Sequence, residues 1–253
     1  ERHPDTDVSF CKFFTLQNGE ITPCAVGRAC DADSIRAMFL FFCPVLHPGV
    51  IARADTLGRY AYDPVHTCSE DLDLWTRMLC DGAKITCSGD YLLLYRLHAG
   101  QITATTTEKQ RREVLESERA FYRATLAAMT DRQADFYIEG LYFRTRPDRE
   151  QMLSFYRHIR AANRKTRQFR ARAVVGAMEE VLAEYRRAGV FGLRDLPYLV
   201  RFGGLRLAAA VCRRKRQSRR DIAAAACAAG AAGLARRGTR SKLPVYAWGD
   251  ANA

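Results

Sequence analysis

The feature that most limits the possible folds is an alternation of apolar and amphipathic runs in the first 104 residues. The apolar runs have the length of strands, and the amphipathic runs between them have the spacing of helices. Strand-like runs cover 8–14, 47–53, 84–87 and 91–98, and helix-like runs cover 31–42 and 70–80. Strands that are apolar rather than strictly alternating, and that alternate with helices, predict an α/β layer fold.

Residues 105–190 are predicted to form a separate helical region. Thr105 followed by Glu108 fits a capping box, and the charged run after it predicts a helix towards Met129. Further helices are predicted over 132–143, 148–160 and 168–187, the last of them ended by Gly189.

Residues 191–253 form a basic, Ala-rich tail. Its Ala-rich run, 222–235, is shorter than the roughly 20 residues that span a bilayer. The tail is therefore predicted either to lie on a membrane surface or to be poorly ordered.

Charge is spread unevenly along the chain. Residues 1–107 carry 9 Lys/Arg and 13 Asp/Glu, a net charge of −4, whereas residues 108–253 carry 31 and 15, a net charge of +16. A basic second half indicates an anionic partner, and charge alone leaves open a membrane surface, a nucleic acid or a polyphosphate.

The nine cysteines form no Cys-x-x-Cys pair. This argues against a secreted disulfide framework and a four-thiolate zinc site, and it favours buried, reduced thiols in the cytoplasm. His66 and Cys68 suggest a metal site, but their loop spacing matches no known ligand pattern. The sequence therefore does not predict a metal there.

The stretch 69–80 is the most informative for chemistry. Read as a helix from Glu70, it places Leu72, Trp75 and Leu79 on one inner stripe, and Glu70 and Asp71 in the first turn. Acids at this position can simply cap free amides and favour the helix dipole. Trp75 is expected in the core rather than as a stacking platform for a sugar.

Several features around this helix occur in a recognisable order: His47-Pro48-Gly49, then Glu70-Asp71, then Asp73-Leu74-Trp75, then Tyr95-Arg96-Leu97-His98. In this order they resemble the family 2 glycosyltransferases of the GT-A fold. The resemblance covers about 43–103 and implies transfer of a sugar with inversion. Asp71 would be the catalytic base, with Glu70 orienting the acceptor or its loop. His47 and Trp75 would shape the acceptor loop.

The resemblance also implies contacts to the leaving diphosphate. His98 and Arg96 would bind the diphosphate or a divalent cation, Mg²⁺ or Mn²⁺, which the family holds partly through an Asp-x-Asp motif. The literal Asp31-Ala32-Asp33 precedes a helix and is better explained as its cap, so no metal-binding Asp-x-Asp is assigned.

In this family the nucleotide-binding strands and the Asp-x-Asp precede a segment like residues 1–8. The expected fold is thus an incomplete GT-A (Rossmann-like) sheet over 1–104, the acceptor-side half, followed by the α-helical region. The cation is expected only with the preceding half. We expect the chain alone to be inactive and poorly soluble because an opened sheet exposes apolar surface.

The implied partners are a nucleotide-sugar donor, a glycan or lipid-linked acceptor and, through the basic region, an anionic membrane surface. The implied setting is cell-surface polysaccharide synthesis in the cytoplasm or on the inner membrane face, without a nucleic-acid partner. Two alternatives stay open: a basic nucleic-acid-binding module, and a non-catalytic scaffold that resembles a transferase.

Overall fold

The computed structural model is a mixed α/β protein, and it describes residues 4–23, 31–98, 108–126, 129–138 and 149–187, with positions 197 and 200. The strands are β1 (Val8–Gln17), β2 (Glu20–Pro23), β3 (Val50–Ala52) and β4 (Ile85–Arg96). The first four helices are α1 (Ala32–Met38), α2 (Ala54–Leu57), α3 (Glu70–Cys80) and α4 (Glu108–Leu126). They are followed by α5 (Asp131–Ile138), α6 (Arg149–Thr166) and α7 (Ala171–Arg187). The predicted α/β class is confirmed at this level.

β1 is the centre of the sheet. β4 runs parallel to it along one edge, with Val8 opposite Ile85. β2 and β3 pair antiparallel with opposite ends of β1. Because a strand has only two edges and β4 occupies one, β2 and β3 both lie along the other edge of β1. The chain between β1 and β4 contains α1, α2 and α3. The start of α3 lies near the end of β4, since the charge of Asp71 acts on Tyr95.

Two backbone features shape this sheet. The β1–β2 hairpin turns at Asn18-Gly19, where both φ angles are positive, 51° and 79°, as a type I′ turn requires. The runs predicted as two strands, 84–87 and 91–98, are one irregular strand, β4. Its pairing with β1 shifts register, and Gly89 in this stretch has φ 85°. The local apolar pattern is interrupted there, but the hydrogen-bonded ladder continues beyond it.

The run 47–53 differs from the strand that its composition predicts. His47–Gly49 forms one 3-10 turn, and only Val50–Ala52 pairs with β1. Pro48 explains the shortening, because it lacks the N–H that a ladder needs and its fixed φ suits the start of a helical turn. Gly49 lies close to β1: a Cβ there would be 3.0 Å from Cys11 Sγ.

The helices and the sheet share one buried cluster among the described residues. Phe10 of β1, Trp75 of α3, Tyr122 of α4 and Phe155 of α6 are each at most 2% exposed within it. The Tyr122 hydroxyl donates to the carbonyl of Leu40 at 2.8 Å, which joins α4 to the turn after α1. The predicted ranges 1–104 and 105–190 thus both contribute side chains to this core.

Apolar side chains also remain at the surface of the sheet. Ile51 is 79% exposed, Leu92 is 71% exposed and Leu94 is 50% exposed. Across the part of the chain that the structure describes, no helix is both long and apolar enough to cross a bilayer. The predicted cap at Thr105, the helix end at Gly189 and the basic tail from 201 onwards lie outside the described residues.

Candidate active site

The first turn of α3 is held in place by a carboxylate from α4. Ser69 is the N-cap residue, yet its side chain makes no capping hydrogen bond. Its hydroxyl donates instead to Glu113 Oε2 at 3.3 Å, and the Cys68 and Thr67 amides donate to Glu113 at 2.8 and 3.2 Å. Burial opposes the charge of Glu113, but these hydrogen bonds outweigh it and lower the pKa of this carboxyl. Glu113 therefore fixes the backbone that leads into Glu70 and Asp71.

Asp71 lies in this first turn, and its Oδ1 accepts a hydrogen bond from the Leu72 amide at 2.8 Å. Burial raises the pKa of the Asp71 carboxyl above its ordinary value of 3.8, and the negative charge of Glu70 adds to the rise. The Leu72 amide and the charge of His47 oppose it. The result is a carboxylate that holds a proton more readily than an exposed one, which is the direction that suits a general base.

Four rings lie near this carboxylate: His47, Tyr62, Trp75 and Tyr95. The Tyr62 hydroxyl and His47 Nε2 are 3.1 Å apart, and their rings stack with centroids separated by 5.9 Å. The His47 ring also lies 5.8 Å from that of Trp75. Burial, and then the charge of Asp71, raises the pKa of Tyr62 and that of Tyr95. The structure thus brings four predicted residues together: His47, Glu70, Asp71 and Trp75.

Trp75 lies in the core as the sequence predicts. It is 2% exposed, and its stripe partners Leu72 and Leu79 are 5% and 0% exposed. Its indole nitrogen is buried without a hydrogen-bond partner. Trp75 therefore packs against the His47 ring and does not offer an open face to a sugar.

Arg96 and His98 lie elsewhere. Exposure alternates along the end of β4, so that Tyr95 is partly buried whereas Arg96 and, two residues further, His98 are exposed. Because successive side chains of a strand point to opposite faces, Arg96 is on the other face of β4 from Tyr95. A diphosphate role for Arg96 and His98 stays a prediction.

Asp31 and Asp33 do not fit a metal site. Asp31 Oδ1 accepts from the Ser34 amide at 3.0 Å and caps α1, which confirms the expected role. Asp33 Oδ2 pairs with the Arg170 guanidinium at 2.9 Å. With both carboxylates engaged, no catalytic cation is assigned to this motif. The described cysteines 11, 43, 68, 80 and 87 are free thiols. Cys11 and Cys87 are buried as predicted, but Cys43 and Cys68 are only partly buried and Cys80 is exposed, so the predicted burial is wrong for these three.

A second polar cluster lies in the loop before α3. Asp63, His66 and Asp73, here named the His66 cluster, each offer one ligand-type atom, and these atoms lie within 4.8 Å of one another. Loop spacing did not predict this cluster because Asp73 belongs to the helix. Cys68, the other residue of that sequence pattern, is not part of it.

Tyr62, Tyr95 and Glu113 were not singled out from the sequence. Tyr95 lies in the segment Tyr95-Arg96-Leu97-His98 that the sequence singles out, whereas Tyr62 lies in the loop before the acidic helix. Glu113 shows no local signal, since its partners are 44 to 46 residues away. Comparisons with protein-family models, curated proteins and solved structures find no match to this chain. The fold and the site thus define a mixed α/β protein with a carboxylate of raised pKa among aromatic rings.

Proposed function

We propose that the chain is the acceptor-side part of an inverting glycosyltransferase of the GT-A fold, with Asp71 as the catalytic base. One observation carries the proposal: Asp71 stands at the start of α3 with its pKa raised by burial, beside His47, Tyr62 and Tyr95. Raised carboxylate pKa values beside a specific set of partners are typical of functional sites.

The raised pKa matches what the reaction needs. A base must take a proton from an acceptor hydroxyl, and transfer is most efficient when the pKa of the base approaches the working pH. A carboxylate has about four lone-pair positions, so the bond from Leu72 leaves room for a substrate hydroxyl.

The chemical step then follows from the position of Asp71. The acceptor hydroxyl oxygen attacks the anomeric carbon of the donor while its proton passes to the Asp71 carboxylate. The bond from that carbon to the diphosphate breaks, and its electron pair leaves with the nucleoside diphosphate. In the family the cation neutralises this leaving group. No described residue of this chain is assigned to hold it, so no step here depends on one.

The rings around Asp71 suit a sugar acceptor. Tyr62 is half exposed, and its hydroxyl is hydrogen-bonded to His47. It therefore presents a polar edge and an apolar face near the Asp71 carboxylate. Such amphipathic rings are enriched at binding interfaces, and this one would contact the sugar of the acceptor. Glu70 adjoins the same site and would help to orient the acceptor hydroxyl.

The test uses the full-length product of the gene that encodes this chain. Nucleoside diphosphate release from a panel of nucleotide sugars is measured with membrane lipid extracts as acceptors. Asp71→Asn should abolish release and leave nucleotide binding nearly unchanged, whereas Asp55→Asn, a change at an exposed carboxylate of α2, should retain activity.

Two outcomes would contradict the proposal. Retained turnover in Asp71→Asn would refute the assignment of the base. Absence of turnover with every donor, combined with stable binding to a polymer or protein partner, would favour the non-catalytic scaffold.

A further inference from the structure

The atoms of the His66 cluster are close together but too far apart to form a hydrogen-bonded network. His66 Nδ1 lies 3.6 Å from Asp63 Oδ2 and 4.0 Å from Asp73 Oδ1. These separations exceed those of hydrogen bonds, which end near 3.2 Å. Four ligands at about 2.0–2.1 Å from a tetrahedral metal lie about 3.3 Å from each other. Small inward movements would therefore complete such a site.

His66 has two ring nitrogens that are buried and unsatisfied. Its side chain is only 10% exposed, and neither ring nitrogen has a hydrogen-bond partner. A buried polar group without a partner carries a cost that a ligand would remove. Both carboxylates face Nδ1 of His66, so a cation there would also relieve their mutual repulsion.

The other oxygen of each carboxylate is already held by a hydrogen bond. Asp73 Oδ2 accepts from Arg77 Nε at 2.8 Å, and Asp63 Oδ1 accepts from the Val65 amide at 2.9 Å. His66 Nε2 faces Glu116 Oε2 at 3.9 Å, where it can direct its N–H when Nδ1 binds a metal. Carboxylate partners of this kind orient histidine ligands in many metal sites.

We propose that Asp63, His66 and Asp73 bind Zn²⁺ and thereby fix the loop 58–69 to α3. One imidazole and two carboxylates suit Zn²⁺, whereas Mg²⁺ and Ca²⁺ take six or more oxygen ligands. Asp63 adjoins Tyr62, which bonds to His47, so the metal would stabilise the loop that forms one wall of the candidate active site. The proposal does not depend on the transfer reaction.

The test begins with chelator-treated protein in reducing buffer. Calorimetric titration with ZnCl₂ should show one tight site that MgCl₂ and CaCl₂ do not occupy. Asp63→Asn and His66→Asn should remove that site, and Glu116→Gln should weaken it roughly 10-fold. Asp55→Asn, the matched change at an exposed carboxylate, should leave it intact.

Cysteine ligation must be distinguished from binding at this cluster, because the chain has nine cysteines. Co²⁺ in place of Zn²⁺ should show d–d bands without the near-ultraviolet charge-transfer band of a thiolate. Zn²⁺ should also slow hydrogen exchange of the amides at 62–68. Circular dichroism checks that each variant folds. If His66→Asn does not fold, the weaker Zn²⁺ binding expected of Glu116→Gln still tests the site.

Three results would overturn the proposal. These are equal Zn²⁺ affinity in His66→Asn, a thiolate band in the Co²⁺ spectrum, and a folded parent chain that takes up no Zn²⁺.

Discussion

Glu113→Gln is the sharpest test of how the candidate site is held. Glu113 is 2% exposed, and its two oxygens accept from the Thr67 and Cys68 amides and the Ser69 hydroxyl. Glutamine has nearly the same shape but only one acceptor oxygen. At least one backbone amide must therefore face an NH₂ group.

The expected loss follows from these contacts. A hydrogen bond to a charged group contributes about 1.5–3 kcal/mol. Thr67 is exposed, so its amide can hydrogen-bond to water instead. Glu113→Gln should therefore lower the free energy of unfolding by about 2 kcal/mol, in the lower half of that range. For a chain of this size the melting temperature should fall by roughly 4–8 °C.

The assay is urea and thermal unfolding followed by circular dichroism. Glu108→Gln on the same helix is the matched control. The Glu108 side chain is 86% exposed, and its ion pair with Arg111 is long, at 3.9 Å. This control should change stability by no more than about 0.5 kcal/mol.

The pH dependence provides a second check. The folded-state pKa of Glu113 lies below the ordinary value of 4.5, so its stabilisation is present above pH 4.5 and is lost as pH falls through the folded pKa. The difference between the parent and Glu113→Gln should shrink in that range. Equal effects of Glu113→Gln and Glu108→Gln near neutral pH would refute the role of Glu113.

Three further predictions concern other sites. Burial raises the folded-state pKa of Asp71 above 3.8, so the ionised carboxylate opposes folding. Asp71→Asn should therefore raise the melting temperature near pH 7 but not below pH 3.8. A lower melting temperature at pH 7 would contradict this. Asp31→Ala removes the cap that binds the Ser34 amide and should cost about 1 kcal/mol in urea unfolding; no loss would argue against the cap. Leu94→Lys should reduce self-association in light scattering, because Leu94 is 50% exposed on the sheet; unchanged association would exclude this face.

The outline of the fold could be predicted where the signal is local. α3 begins and ends where its acidic first turn and apolar stripe place it, at Glu70–Cys80. The Asp31 cap was predictable for the same reason, since its partner is three residues away. β4 was less predictable, because its continuity past Gly89 comes from pairing with β1.

The candidate site depends on contacts that are distant in sequence. His47 and Asp71 are 24 positions apart and come together only in the tertiary structure, where the 3-10 turn packs against β1 and the His47 ring contacts Trp75 of α3. Residue types and order therefore determined the α/β class, the acidic helix and the identity of Asp71 as a candidate. The tertiary structure decided its environment: which rings surround it, that Glu113 holds its turn, and that its pKa rises. The physical reason is that burial and electrostatic interaction depend on distances in space, which local sequence patterns do not encode.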